Sequence, residues 1–215
     1  MTSLERFRLQ PDRRLAFFQG FLRHPKTVGS IIPSSRFLER RVVQAADVGR
    51  ARTVVELGPG TGGTTRALLR AMAPDATLLC VEINPDFVRI LRSIRDARVV
   101  VHQGSAAELP AILTSLGLPA PEVVVSGIPF STMPEAVGLA VLEGAWEALA
   151  PGGAFVAYQV RDRVETLGRR VMGPAQVQRE LRNVPPMRVY RWGKPAVAPA
   201  AAAASSLGAS AEPTV

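Results

Sequence analysis

The sequence predicts an α/β fold on a mostly parallel sheet of seven strands, with an antiparallel hairpin at its edge and helices ahead of it. Three observations lead there. From Thr53 onward, short β-branched runs alternate with helical patterns, the order of βαβ units. Nearly all of these runs are apolar throughout, as strands covered on both faces should be. A glycine-rich segment, VVELGPGTGGTT (54–65), carries the first run directly into a helical pattern.

The strand candidates in order are TVVEL (53–57), TLLCVE (77–82), RVVVH (98–102), EVVVS (122–126) and GAFVAYQV (153–160). Between them 64–73, 85–95, 106–116 and 134–149 have helical spacing, with Pro85 and Pro134 in first-turn positions. Pro151, Gly152 and Gly153 stop the last of these before its strand. A further helix is expected over 163–172, and two partly alternating runs around Val184-Pro185-Pro186, within 176–192, predict the hairpin. Ahead of the sheet, 12–24 reads as a helix with Leu15, Phe18, Phe21 and Leu22 on one face and Phe17 widening it. A second helix is expected from Ser34 or Ser35 to Ala46. Residues 195–215, rich in alanine with scattered Pro, Ser and Gly, have too little bulk to bury and are expected to form a disordered tail. The expected organisation is therefore helices over 1–47, the α/β domain over 48–194 and the tail.

A chain of 215 residues with 47% hydrophobic and 20% charged side chains suffices for one well-filled domain. Its single cysteine, Cys80, excludes a disulfide framework or Cys-rich metal site and points to a reducing compartment. His24 and His102 lack the spacing of a zinc hydrolase, so no metal is expected. No apolar run reaches the roughly 18–20 residues that cross a bilayer, so any membrane contact is expected to be peripheral. The net charge of +8 is uneven: residues 1–41 and 161–195 each carry +6, whereas 42–160 carry −3. Basic flanks around a slightly acidic middle suit an anionic partner, and both RNA and acidic lipid qualify.

The chemistry is expected at the glycine-rich segment, where Gly58, Gly60 and Gly62 let backbone approach a ligand that side chains would block. Gly58, Gly60 and Gly63 also satisfy the dinucleotide pattern GxGxxG, and Glu82 at the end of the second strand could accept ribose hydroxyls under either reading. Glu56 separates the two: its carboxylate would repel a pyrophosphate but suits the cationic methionine end of S-adenosyl-L-methionine. Ile83 is positioned to pack on an adenine, with Ser105 and Ala106 near the adenine edge. After the fourth strand, SGIPF (126–130) stands where amine methyltransferases often carry an Asn/Asp-Pro-Pro-aromatic motif, with Ser126 in the polar place and Pro129 and Phe130 keeping the turn and ring. The competing reading of this segment is a tight turn with a core Phe. Tyr158, near the end of the fifth strand, is a candidate proton acceptor, as is a lipid phosphate.

Together, FLRHPKTVGSIIPSSRFLERRVV (21–43), ELGPGTGGTT (56–65), VEINP (81–85), SGIPF and RNVPPMRVYRW (182–192) resemble the bacterial phospholipid N-methyltransferase family, over most of residues 12–192. The resemblance implies a Rossmann-like class I methyltransferase fold akin to the rRNA adenine dimethylases. It implies transfer of methyl groups from S-adenosyl-L-methionine to the amine of phosphatidylethanolamine towards phosphatidylcholine, while some relatives methylate ornithine lipids. On the family pattern Glu56, Gly58, Gly60, Gly62 and Glu82 bind the donor, and the segment ending at Ser35 closes over the site. The expected partner is an anionic bilayer on the cytoplasmic face of the cell membrane, met by Arg13, Arg14, Phe17, Phe18, Phe21 and Leu22 of the amphipathic segment. An RNA adenine methyltransferase is the alternative, since basic flanks also suit phosphate.

Overall fold

The computed structural model describes residues 35–196. The amphipathic segment with Arg13, Arg14, Phe17, Phe18, Phe21 and Leu22, the link through Ser34, and the tail from 197 lie outside the described residues.

Helix α1 (Arg36–Ala46) begins at Ser35, whose hydroxyl accepts the Leu38 N–H at 3.3 Å. It ends at Asp47 in the left-handed region (φ 49°), a conformation that Asp tolerates better than most residues. Its Leu38, Val42, Ala45 and Ala46 recur at helical spacing and are buried against Val125, Val156, Met187 and Val189 of the sheet. The expected boundary at residue 47 therefore falls inside a packed unit: α1 covers the sheet instead of standing apart from it.

Strands β1 (Thr53–Leu57), β2 (Thr77–Glu82), β3 (Val99–Gln103), β4 (Val123–Ser126), β5 (Ala154–Gln159), β6 (Gln176–Glu180) and β7 (Met187–Gly193) form one sheet in the order β3-β2-β1-β4-β5-β7-β6. β1 to β5 are parallel, with Glu56 opposite Cys80 and Val125. β7 is antiparallel to both β5 and β6. The hairpin is thus present, but its second strand lies inside the sheet and its first forms the edge. β7 takes the inner place because it carries the bulk: Val189, Tyr190 and Trp192 are buried, whereas Gln176 to Arg179 of β6 are exposed. Charged and polar residues on an outer strand also protect its open edge.

Helices α2 (Gly63–Ala71) and α3 (Pro85–Arg92) join α1 on one face, over Val54, Leu78 and Cys80. On the other face α4 (Leu109–Ser115), α5 (Glu135–Ala148) and α6 (Arg163–Met172) cover Val55, Leu57, Leu79, Val124 and Phe155. Several features differ from the sequence reading. The expected helix over 106–116 is a 3₁₀ turn at Ala106–Glu108 followed by α4, because Ser105 caps the turn through Ala107 N–H and Pro110 restarts the chain as a first-turn residue. α3 stops at Arg92, short of Arg95, where the Ser93 hydroxyl donates to the Ile90 carbonyl at 2.6 Å. β3, expected to be covered on both faces, is half-buried as the sheet's other edge. Among the described residues no helix is long and apolar enough to cross a membrane.

Candidate active site

The order β3-β2-β1-β4-β5 reverses direction between β1 and β4, and the carboxyl ends of strands at such a switch point are the place where these sheets take ligands. The backbone turns immediately after β1. Gly58 (φ 66°), Gly60 (φ 58°) and Gly62 (φ 80°) are all left-handed, and Gly62 caps α2. A Cβ on Gly58 would lie 2.8 Å from Ile128 Cγ1, whereas one on Gly60 would meet no atom of the described residues within 4 Å. Gly58 is therefore glycine for packing as well as conformation, and Gly60 for conformation.

Two carboxylates flank this turn. Glu82, buried at the end of β2, accepts the Gly60 N–H on Oε2 at 3.0 Å and the Ile83 and Asn84 N–H groups on Oε1 at 2.9 Å each. Burial raises its pKa, opposed by the backbone hydrogen bonds from Asn84, Gly60 and Ile83. Glu56 is completely buried under α2, where the Thr65 hydroxyl donates to Oε2 at 2.6 Å. Its Oε1 has no hydrogen-bond partner among the described residues. Burial pushes the Glu56 carboxyl up to about 7, against the pull of the Thr65 hydrogen bond, and the nearby Glu82 charge adds to the rise.

This electrostatic arrangement discriminates between ligands. A pyrophosphate would meet two carboxylates, and the guanidinium at the turn, that of Arg66, is committed to the Thr61 and Gly62 carbonyls at 3.1 and 2.9 Å. A cationic ligand relieves their repulsion and supplies the orphan Oε1 of Glu56 with a donor. The residues fit S-adenosyl-L-methionine on that ground: Glu82 would hold its ribose, and Glu56, buried behind the turn, would lend negative charge to its cationic end.

Ile83, half-buried beside Glu82, lies at the margin of the core. Ser105 and Ala106 follow β3 and are buried, and the Ser105 hydroxyl is engaged in capping. The Ser35 hydroxyl caps α1 and its N–H donates to Asn183 Oδ1 at 3.0 Å, tying the helix to the β6–β7 turn.

The segment after β4 requires correction. Counted back from Phe130, the polar position of a four-residue Asn/Asp-Pro-Pro-aromatic motif falls on Gly127, one residue beyond Ser126. Ser126 is fully buried, its hydroxyl accepting the Ile128 N–H at 3.4 Å. Phe130 is also fully buried, in the core with Met133 and Leu167, so the ring expected to face an acceptor amine is a core side chain. Pro129 precedes the 3₁₀ turn Phe130–Thr132 and fixes that geometry. The space a side chain at 127 would take belongs to Tyr158: a Cβ there would lie 2.5 Å from its hydroxyl and 2.9 Å from the Gly58 carbonyl. Tyr158 Oη is also 3.1 Å from Thr64 Oγ1. Tyr158, an expected site residue, thus stands where the motif's polar group is missing.

Four residues not singled out from sequence support the site. Thr65 holds Glu56, Thr64 meets Tyr158, and Asn84 caps α3 through the Asp86 N–H at 2.8 Å. Gln159, buried, donates its side-chain N–H to the Ile128 carbonyl. The paired threonines were visible within GTGGTT, at the start of a helix beside an acidic strand residue; Gln159 had no local signal.

A mostly parallel sheet with a bare-backbone turn and paired acidic groups at its switch point fits the class of α/β enzymes that take a cationic nucleoside. Residues 54–153 match the family model of the methyltransferase domain. An ornithine lipid N-methyltransferase of Singulisphaera acidiphila is 32% identical over 177 residues, 81% of this chain and 92% of that protein. A ribosomal RNA small subunit methyltransferase A of Nocardia farcinica is 32% identical over 192 residues, but the chain spans only 55% of its length. Among solved structures, the N-methyltransferase NodS from Bradyrhizobium japonicum in complex with S-adenosyl-L-homocysteine superimposes with a TM-score of 0.60 at 14% identity, covering 80% of this chain and 96% of that one. The chain belongs to the class I S-adenosyl-L-methionine-dependent methyltransferases, and S-adenosyl-L-methionine is its methyl donor.

Proposed function

We propose that the protein N-methylates the primary amine of a membrane lipid. The observation that carries this reading is the ornithine lipid N-methyltransferase relative, aligned across 92% of its own length. Phosphatidylethanolamine, converted towards phosphatidylcholine, and ornithine lipid both offer a primary amine beside an anionic or polar headgroup. The motifs around residues 24–35 and 182–192 favour the first and the relative favours the second. The rRNA methyltransferase relatives support RNA as a weaker alternative, since the chain spans about half of the first of them.

The bound donor supplies an electrophilic methyl group on a sulfonium. The chain's part is chiefly positioning, which can be worth roughly 7–11 kcal/mol in favourable cases. Glu82 is held by three backbone N–H groups, so its oxygens are preset for a ribose diol. Glu56 neutralises the cationic end. The Tyr158 hydroxyl, over Gly127 and against Thr64, receives an N–H of the acceptor amine and orients its lone pair. An amine with a lysine-like pKa of about 10.4 loses on the order of 4–5 kcal/mol on deprotonation near neutral pH. That proton leaves to solvent before attack, and the Tyr158 hydroxyl accepts an N–H of the neutral amine.

Purified protein incubated with methyl-labelled donor and, in separate reactions, vesicles of phosphatidylethanolamine, vesicles of ornithine lipid and ribosomal RNA tests the reading. Label in either lipid supports it and identifies the headgroup. Label in RNA alone, with both lipids unlabelled, rejects it.

A further inference from the structure

Leu181 and Val184 are the most exposed large hydrophobic residues among those described, at 72% and 88%. Both lie in the turn between β6 and β7. Between them Asn183 is buried (1%): it accepts the Ser35 N–H and donates to the Pro185 carbonyl at 3.0 Å. The turn is therefore a fixed feature, anchored at its centre to the start of α1, with its apolar side chains directed away from the anchor.

Its surroundings are cationic. Glu180, buried at the base of the turn, is paired with Arg182 and Arg41 at 2.9 Å each. The Arg182 and Arg36 guanidinium groups lie 4.3 and 4.9 Å from the Phe37 ring centre. Phe37, Arg40, Arg41, Gln44, Glu180 and Arg182 line a surface cavity of about 280 Å³. Its three arginines exceed its one acid, and neither Arg36 nor Arg40 has an acidic partner among the described residues. Because Tyr158 pairs with Val189 and Gln159 with Arg188, the turn projects from the same sheet edge that carries the glycine turn and Glu82.

We propose that the β6–β7 turn is a bilayer-docking element: Leu181 and Val184 enter the interface of an anionic membrane while the arginine-lined cavity around Phe37 receives lipid phosphate. Exposed apolar side chains ringed by cations, on the edge where the amine must arrive, match a bilayer surface in both chemistry and position. RNA would be served by the arginines, but it gives no role to two exposed aliphatic side chains. The docking element rests on the lipid reading above, and it is separate from the N-terminal amphipathic segment.

Cys80 is the sole cysteine and is buried, so Val184→Cys in the full chain gives a single accessible thiol for an environment-sensitive fluorophore. Phosphatidylcholine vesicles containing phosphatidylglycerol should shift its emission to the blue, brominated acyl chains should quench it, and vesicles of phosphatidylcholine alone should do so much less. In the unlabelled chain, Leu181→Asp with Val184→Asp should weaken binding to the anionic vesicles by about tenfold or more, with donor affinity by calorimetry unchanged. Three results overturn the proposal: a label silent to anionic vesicles, a label that responds to RNA and not to vesicles, or emission already blue without vesicles, which would mean that another part of the chain covers the turn. Failure of the lipid reading differs, because there the label responds while no lipid becomes methylated; that response would still support docking.

Discussion

Donor binding should be coupled to ionisation of Glu56, because the cationic end of the donor requires a carboxylate where burial favours the neutral acid. With the donor-free carboxyl at about 7, its ionised fraction rises from about 3% at pH 5.5 to about 75% at pH 7.5, so affinity should increase about 25-fold, or about 2 kcal/mol. Titration calorimetry at each pH, in two buffers of different ionisation enthalpy, reads affinity and proton release together. Release should approach one proton at pH 5.5 and fall to about a quarter at pH 7.5. Glu56→Gln should bind weakly and lose the pH dependence. The linkage has a stability counterpart of definite sign. Without donor, the folded carboxyl keeps a proton between pH 4.5 and about 7 that the unfolded one releases, so its contribution is fully present below 4.5 and is lost as pH rises through 7, an effect of about 3 kcal/mol. An affinity that stays flat from pH 5.5 to 7.5 with no proton released would refute this assignment of Glu56.

Three further outcomes follow from the site and its supports. Gly60→Ala places a side chain at φ 58° beside open space; it should cost about 1–2 kcal/mol of stability in denaturant titration and weaken donor binding well beyond that. Phe130→Ala, at a fully buried position, should lower unfolding free energy by about 3–5 kcal/mol; an unchanged denaturation midpoint would return the ring to the acceptor side. Tyr158→Phe removes only the hydroxyl that stands over Gly127. It should reduce kcat for the lipid amine roughly 10- to 100-fold and alter its pH profile, while donor affinity stays within about twofold.

The parallel core was legible because its signals are local. TVVEL and TLLCVE are observed with the expected limits, since an apolar β-branched run bounded by polar turns leaves little freedom in where a buried strand starts and ends. The glycine turn was legible for a similar reason: three left-handed positions in five residues leave few alternatives to glycine. Order across the sheet was not legible. Whether β6 or β7 adjoins β5 depends on which strand buries more against a distant partner, and Trp192 settles this through contacts with Phe155 and the Gly173 carbonyl. The SGIPF segment failed differently. Its sequence is compatible with a substrate-facing ring or a core ring, and the choice rests on the room left by Leu167 and Met133, which no local pattern encodes. Tyr158 was found from its strand position, but its relation to Gly127 emerges only when two neighbouring strands are in register.

The inner place of β7 has a consequence for biogenesis. Until Met187–Gly193 leaves the ribosome, the nascent sheet has an open flank at β5, whose Phe155 and Val156 would otherwise be paired with Trp192 and Arg191, translated 37 and 35 positions later. Strand edges and apolar surface left waiting in this way promote association between partly made chains. Translation pausing or chaperone supply should therefore govern the yield of this enzyme most strongly over the interval between synthesis of Gln159 and of Gly193.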